Sequence, residues 1–208
     1  WRSVESMGRR LVDCTLVPAD GQYEINFDRL REQLDPSVKL LLLCNPHNPT
    51  GRVFTQAELE ELAKLVVEYD LTVVADEIHA DLVFAPNRHI PFASLNPEIE
   101  RRTITMTSAT KSFNLGGLRF AIAIFGSLAL QEKFNMVPKG IIGGLNSLGA
   151  LATEVAWSEC DDWLDRVIVY LQENRDFVFD QFGSRLPELE LYKPQSTYLA
   201  WLNCQALP

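Results

Sequence analysis

Short apolar runs and polar loops alternate along the chain. Residues 38–44 are apolar apart from Lys39, and the run is short enough for a strand buried on both faces. It stops at Asn45-Pro46-His47-Asn48-Pro49-Thr50-Gly51, where proline and glycine force a loop. Thr55 then opens a helix. Glu58, three residues on, completes a capping box, and Leu59, Leu62, Ala63, Val66 and Val67 fall on one helical face. Residues 71–75 read as a second buried strand running into Asp76-Glu77, with third and fourth strands over 103–107 and 120–125. Strand, helix and strand in that order predict an α/β fold with a mainly parallel sheet and flanking helices.

Beyond the sheet, a glycine-rich patch over 140–149 leads into a helical stretch that runs through Trp157. A longer helix is predicted over residues 162–182, with Trp163, Val167, Tyr170 and Leu171 at helical spacing. Residues 189–192 and 197–203 read as strands beginning a smaller α+β domain. The expected division is a large domain over 1–157, then a linking helix and the start of a small domain over 158–208. Trp1 in place of an initiator methionine, and an end at Pro208 just past a strand-like run, predict an internal fragment of a longer protein.

Composition narrows the function. With 208 residues, 47% of them hydrophobic, the chain can bury a sizeable core. A net charge of −9 argues against a nucleic-acid partner, since phosphate binding needs a basic face. No apolar stretch approaches a bilayer span and no signal peptide is visible, so no membrane partner is expected. Cys14, Cys44, Cys160 and Cys204 are scattered and read as free thiols of a cytoplasmic protein. His47, His79 and His89 lack metal-ligand spacing, so no metal is expected.

In open α/β sheets, ligands bind beyond the carboxyl ends of the strands. Read in order, those ends deliver the loop 45–51, then Asp76-Glu77-Ile78-His79, then Thr107-Ser108-Ala109-Thr110-Lys111 with Arg119 eight positions on. An amide, a carboxylate and an amine therefore converge on one rim. A lysine among small hydroxyl residues can form a Schiff base with an aldehyde, while Ser108 and Arg119 can hold an anion beside it. Each piece has an ordinary reading as well: Asn-Pro-Thr-Gly is a good turn, Asp76-Glu77 can be a solvated strand end or a metal ligand, and His79 a packed histidine. No glycine-rich phosphate loop followed by Lys-Ser/Thr is present, which weakens the metal-nucleotide reading.

The order Asn-Pro-His-Asn-Pro-Thr-Gly, Asp-Glu-Ile-His and Ser-Ala-Thr-Lys-Ser-Phe-Asn-Leu-x-Gly-Leu-Arg resembles fold-type I pyridoxal-phosphate enzymes of the class I/II aminotransferase family. Asp-Glu-Ile-His-x-Asp-Leu-Val-Phe at 76–84, His-Ile-Pro-Phe-Ala-Ser at 89–94 and Pro-Gln-Ser-Thr-Tyr-Leu-Ala-Trp at 194–201 are most similar to its MalY/PatB-like cystathionine β-lyase branch.

The resemblance implies pyridoxal 5′-phosphate as cofactor, bonded covalently by Lys111, which also serves as the proton-shuttling base. It implies Asp76 on the pyridinium nitrogen, Asn48 on the phenolic oxygen, and Ser108 and Arg119 on the phosphate. His79 stands where the family often has a tyrosine and is expected to contact the same phenolic oxygen or line the pocket. A cis peptide before Pro49 is also implied. The implied activity is elimination of a thiol from a cysteine S-conjugate, a small amino-acid substrate. Alternatives are an aminotransferase and a non-catalytic regulator of the same fold. A homodimer is implied, with 140–151 as a candidate packing segment. A phosphate-binding helix N-terminus and a ring-stacking aromatic are expected before Trp1, and the substrate-carboxylate arginine after Pro208.

Overall fold

The capping box predicted at Thr55 closes as expected. Glu58 N–H donates to Thr55 Oγ1 at 3.3 Å, and Thr55 N–H donates back to Glu58 Oε2 at 2.7 Å. The helix it starts, α3, follows a smaller leading part in the computed structural model, which describes residues 2–186 and 188–205. That part comprises α1 (Arg2–Ser6), the hairpin β1 (Val17–Ala19) and β2 (Gln22–Glu24), and α2 (Phe27–Gln33). Strand β3 (Leu40–Cys44) then leads through α3 (Gln56–Glu68) to β4 (Thr72–Asp76), and α4 (Pro97–Arg102) leads into β5 (Thr103–Thr107). The short helix α5 (Ala109–Ser112) precedes β6 (Ile122–Phe125).

These four strands form one sheet in the order β3-β4-β5-β6, with the first three parallel and β6 antiparallel to β5. The pairs Cys44↔Asp76, Asp76↔Met106 and Thr107↔Ile122 align the carboxyl ends of the parallel strands along one rim. Because β6 runs the other way, its entrance meets that same rim.

One sheet face carries Leu43, Val73 and Ala75, which form a core with Leu59, Leu62 and Val66 of α3 and with Phe92 and Ile99. Val73, Ala75, Leu59 and Val66 are each 0% exposed, and each large apolar side chain so buried contributes about 1.5–3 kcal/mol. The opposite face is more open than the continuous apolar runs predict: Leu40 and Leu42 are 49% and 58% exposed. Helices α3 and α4 cover a single face, so the second apolar face has no comparable layer among the described residues.

The later chain comprises α6 (Leu128–Asn135), α7 (Lys139–Ile142), α8 (Ser147–Glu159), α9 (Asp161–Arg185), and the pair β7 (Glu190–Leu191) and β8 (Leu202–Asn203). A second small core joins Ala109 and Phe113 to Ala156, with Trp157 and Leu164 packed against it. The strand predicted over 197–203 is confined to its last part. Residues 194–198 instead thread between the loops after β3 and β4. Gln195 N–H donates to Gly51 O at 2.9 Å, Thr197 N–H to Leu82 O at 2.8 Å, and Phe84 N–H to Gln195 O at 2.9 Å. Thr197 holds φ +69°, which ends any extended run there. No helix among the described residues is long and apolar enough to cross a membrane.

Candidate active site

The loop after β3 is fixed from inside. Asn45 is 1% exposed, its Oδ1 accepts from Phe54 N–H at 3.0 Å, and its own N–H donates to Asp76 O at 3.1 Å. The peptides before Pro46 and Pro49 are both cis, the second as the family resemblance implies. Gly51 closes the loop at φ +69°, where a Cβ would meet Pro194 Cβ at 2.6 Å, so only glycine fits. Arg52 follows, 4% exposed, with its guanidinium on both carboxylate oxygens of Glu58 and on Tyr23 O. Asn48 sits at the exposed tip, its N–H on Cys44 Sγ at 3.5 Å.

Period-two alternation sends the adjacent acids at the end of β4 to different fates. Glu77 is 4% exposed; it accepts from Phe92 N–H at 2.9 Å and pairs with His89 Nε2 at 3.0 Å. Asp76 faces a cleft of about 360 Å³ that it shares with Cys44, Ile78, Met106 and Ala121. Among the described residues only its Oδ1 is hydrogen-bonded, by Ile78 N–H at 3.3 Å. His79 is 2% exposed, yet neither ring nitrogen has a hydrogen-bond partner among the described residues. Burial, and secondarily the charge of Lys111, hold its pKa below the usual imidazole value, against a smaller opposing pull from Asp76. Tyr198 meets this neutral ring edge-on, with centroids 5.7 Å apart.

At the end of β5, Ser108 caps α5 by accepting from Thr110 N–H at 3.1 Å, and its hydroxyl donates to Phe120 O at 2.6 Å. That bond sets Ser108 beside the residue following Arg119. Arg119 is exposed with φ +50°, an uncommon backbone for a residue with a side chain. Lys111 is half-buried in α5. Its neighbour Ser112 donates to Asp81 Oδ2 at 2.8 Å, and Trp157 Nε1 of α8 donates to the same oxygen at 3.4 Å.

All six residues singled out from the sequence therefore stand at one rim. Asp76, His79 and Lys111 are electrostatically linked. Ser108 and Arg119 are joined through Phe120, and Asn48 stands over Cys44, the register partner of Asp76. The Asn48 carboxamide, the Lys111 amine and the Arg119 guanidinium make no hydrogen bond or ion pair among the described residues. A free cation, a free amine, a half-engaged carboxylate and a buried imidazole with two unused nitrogens fit a phosphorylated, aldehyde-bearing heteroaromatic cofactor. Sequence reasoning missed Asp81, Tyr198 and the locking role of Glu77. Their partners lie far along the chain, so local pattern carries no signal for them.

The profile for "Aminotransferase class I and II" matches residues 2–207. The chain belongs to this aminotransferase family. Cystathionine β-lyase PatB of Bacillus subtilis is 37% identical over 99% of this chain and 54% of its own length. A probable N-succinyldiaminopimelate aminotransferase of Mycobacterium tuberculosis is 35% identical over 87% of this chain and 48% of its own length. Cystalysin from Treponema denticola, solved with pyridoxal 5′-phosphate, superposes with TM-score 0.94 at 33% identity, covering 99% of this chain and 53% of that one. The chain spans about half the length of these family members.

Proposed function

We propose that the protein carrying this chain is a pyridoxal-phosphate-dependent C–S lyase. It converts a cysteine S-conjugate such as cystathionine, with one water, to a thiol, pyruvate and ammonia. The observation that carries this reading is the set of groups at one rim: the Lys111 amine, the Arg119 guanidinium, the half-engaged Asp76 carboxylate, and the buried ring of His79, whose nitrogens make no hydrogen bond among the described residues.

Pyridoxal phosphate, when bound, supplies an electron sink for the pair left as a Cα–H bond breaks. The remaining work belongs to this chain. Asp76 would hold a proton on the ring nitrogen through its carboxylate. Asn48 and neutral His79 would donate to the ring's phenolic oxygen, and Arg119 would grip the phosphate with Ser108, whose hydroxyl would turn from Phe120 O to donate. Lys111 would hold the cofactor through its aldehyde carbon and, once freed, would take the Cα proton of the substrate on its neutral amine.

The resemblance to PatB over nearly the whole chain favours elimination. The similarity to a probable N-succinyldiaminopimelate aminotransferase supports transamination as the second reading, since both reactions begin with the same proton removal. The exposed side chains of Leu145, Leu148 and Leu151 support a homodimer packed through this segment. The four free cysteines support a cytoplasmic location.

The test is pyruvate release from L-cystathionine, with added pyridoxal phosphate and no 2-oxo acid acceptor. Pyruvate and thiol in equal amounts support elimination; turnover only with an acceptor supports transamination. Lys111→Ala should abolish either while leaving cofactor bound non-covalently, and unchanged turnover in that variant would sink the assignment.

A further inference from the structure

Helix α5, which carries Lys111, is four residues long and cannot hold its own orientation. Its N-terminus is set by the Ser108 cap, and Ala109 and Phe113 pack towards α8. Phe113 also stacks on the Trp163 ring of α9, with centroids 5.7 Å apart. The last residue of the helix is tied by a directional polar contact to Asp81, whose Oδ2 accepts from Ser112 Oγ of α5 at 2.8 Å and from Trp157 Nε1 of α8 at 3.4 Å.

Asp81 is itself immobilised. It stands in the turn after β4, between Ala80, whose N–H donates to Glu77 O at 2.9 Å, and Leu82, whose N–H donates to His79 O at 2.9 Å. Leu82 is 1% exposed and accepts from Thr197 N–H, so the turn cannot shift without breaking the docked segment 194–198. That same turn begins with Asp76 and His79. Ser112 follows Lys111 directly, and successive helical residues point about 100° apart. Tying Ser112 to Asp81 therefore sets the direction in which Lys111 leaves the helix, measured from the turn that carries its electrostatic partners.

We propose that Asp81 is a positioning residue for Lys111, acting through Ser112 and braced by Trp157. This rests on the reading of Lys111 as the cofactor-bearing lysine. Asp81 touches neither substrate nor cofactor. Its carboxylate serves as a double acceptor, a role that asparagine Oδ1 can reproduce and alanine cannot.

The experiment compares Asp81→Ala, Asp81→Asn and Trp157→Phe in the protein carrying this chain. In cofactor-free protein, the rate of reductive methylation at Lys111 is read by peptide mass spectrometry. In cofactor-loaded protein, the fraction of Lys111 captured by pyridoxal phosphate on borohydride reduction and the kcat and KM for pyruvate release are read alongside thermal midpoints. Asp81→Ala should change the methylation rate severalfold and reduce capture. It should lower kcat on the order of a hundredfold with little change in KM, the scale expected for a misplaced reacting group. Asp81→Asn should restore all three, and Trp157→Phe, which keeps the packing but removes the N–H, should fall between.

Wild-type values in Asp81→Ala would overturn the proposal. So would Asp81→Asn behaving like Asp81→Ala, since charge rather than the tether would then matter. Should Asp81→Ala fail to fold, wild-type methylation and capture in Trp157→Phe together with Ser112→Ala would overturn it equally. If wild-type protein releases no pyruvate, the lyase reading fails, while methylation and capture still decide the role of Asp81.

Discussion

Removing the carboxylate of Glu58 should cost far more than a surface ion pair, because Arg52 is sealed beneath it. The side chains of Arg52 and Glu58 are 4% and 15% exposed, and two bonds of 2.7 and 2.9 Å join them. The other guanidinium contacts, Tyr23 O, Val53 O and Gln195 Oε1, are neutral acceptors. Glu58→Ala thus leaves a buried cation with no counter-charge, which costs about 3–5 kcal/mol. It also removes the reciprocal half of the capping box, the bond from Thr55 N–H to Glu58 Oε2, worth about 0.5–1.5 kcal/mol. Since one carboxylate serves both, the expected loss is about 4–6 kcal/mol, a large share of the roughly 5–15 kcal/mol by which a typical domain is stable. Glu58→Gln keeps an acceptor and should lose about half as much, by the worth of a hydrogen bond to a charged group, about 1.5–3 kcal/mol. Urea unfolding of the protein carrying this chain, followed by circular dichroism, reads both values. Arg52→Met combined with Glu58→Ala should be less damaging than the sum of the two single changes. A loss below about 1 kcal/mol for Glu58→Ala, the scale of an exposed pair, would refute the reasoning.

Gly126→Ala should destabilise by about 3 kcal/mol or more, because a Cβ there would lie 1.7 Å from Glu100 O, a backbone atom that cannot step aside. An unchanged thermal midpoint would contradict it. Burial depresses the pKa of both His47 and His79, so each ring stabilises the fold fully above about pH 6.5, its unfolded value. That stabilisation is lost as pH falls through the lower folded values. Cofactor-free protein should therefore weaken on acidification by up to about 1.4 kcal/mol per pH unit for each ring, and His79→Phe should flatten the slope. A flat urea midpoint from neutrality to pH 5 would dispose of this account. Asp76→Asn should keep the cofactor but lower pyruvate release about a hundredfold or more, as expected for loss of a charge placed against the reacting system. Full activity would remove Asp76 from its role.

The features legible in the sequence are those whose causes are local. The capping box of Thr55 and Glu58 and the apolar runs of β3, β4 and β5 each depend on residues within a few positions of one another. The rim of Asn48, Asp76, Ser108 and Lys111 was readable for the same reason, because a parallel sheet turns strand ends into neighbours without further information. What escaped depends on partners far apart in sequence. Arg52 reads as an ordinary charge until Gln195 and Glu58 enclose it, and Asp81 as a solvated acid until Ser112 and Trp157 reach it. Residues 197–203 looked like a strand because their composition is right; the left-handed turn at Thr197 and its bond to Leu82 answer to a surface that local pattern cannot see.

The docking of residues 194–198 also sets an order of events during synthesis. Gln195 Oε1 accepts from Val53 N–H across 142 positions, and Ser196 Oγ donates to Gly51 O across 145. The loop bearing Asn48 and the turn bearing His79 are thus complete only after the ribosome has delivered a segment made much later. Until then the nascent chain has its sheet and its lysine but lacks the clasp that stiffens them, and such widely separated closures form slowly. Capture of cofactor should accordingly be a late step of maturation, beginning only when residue 197 has cleared the exit tunnel.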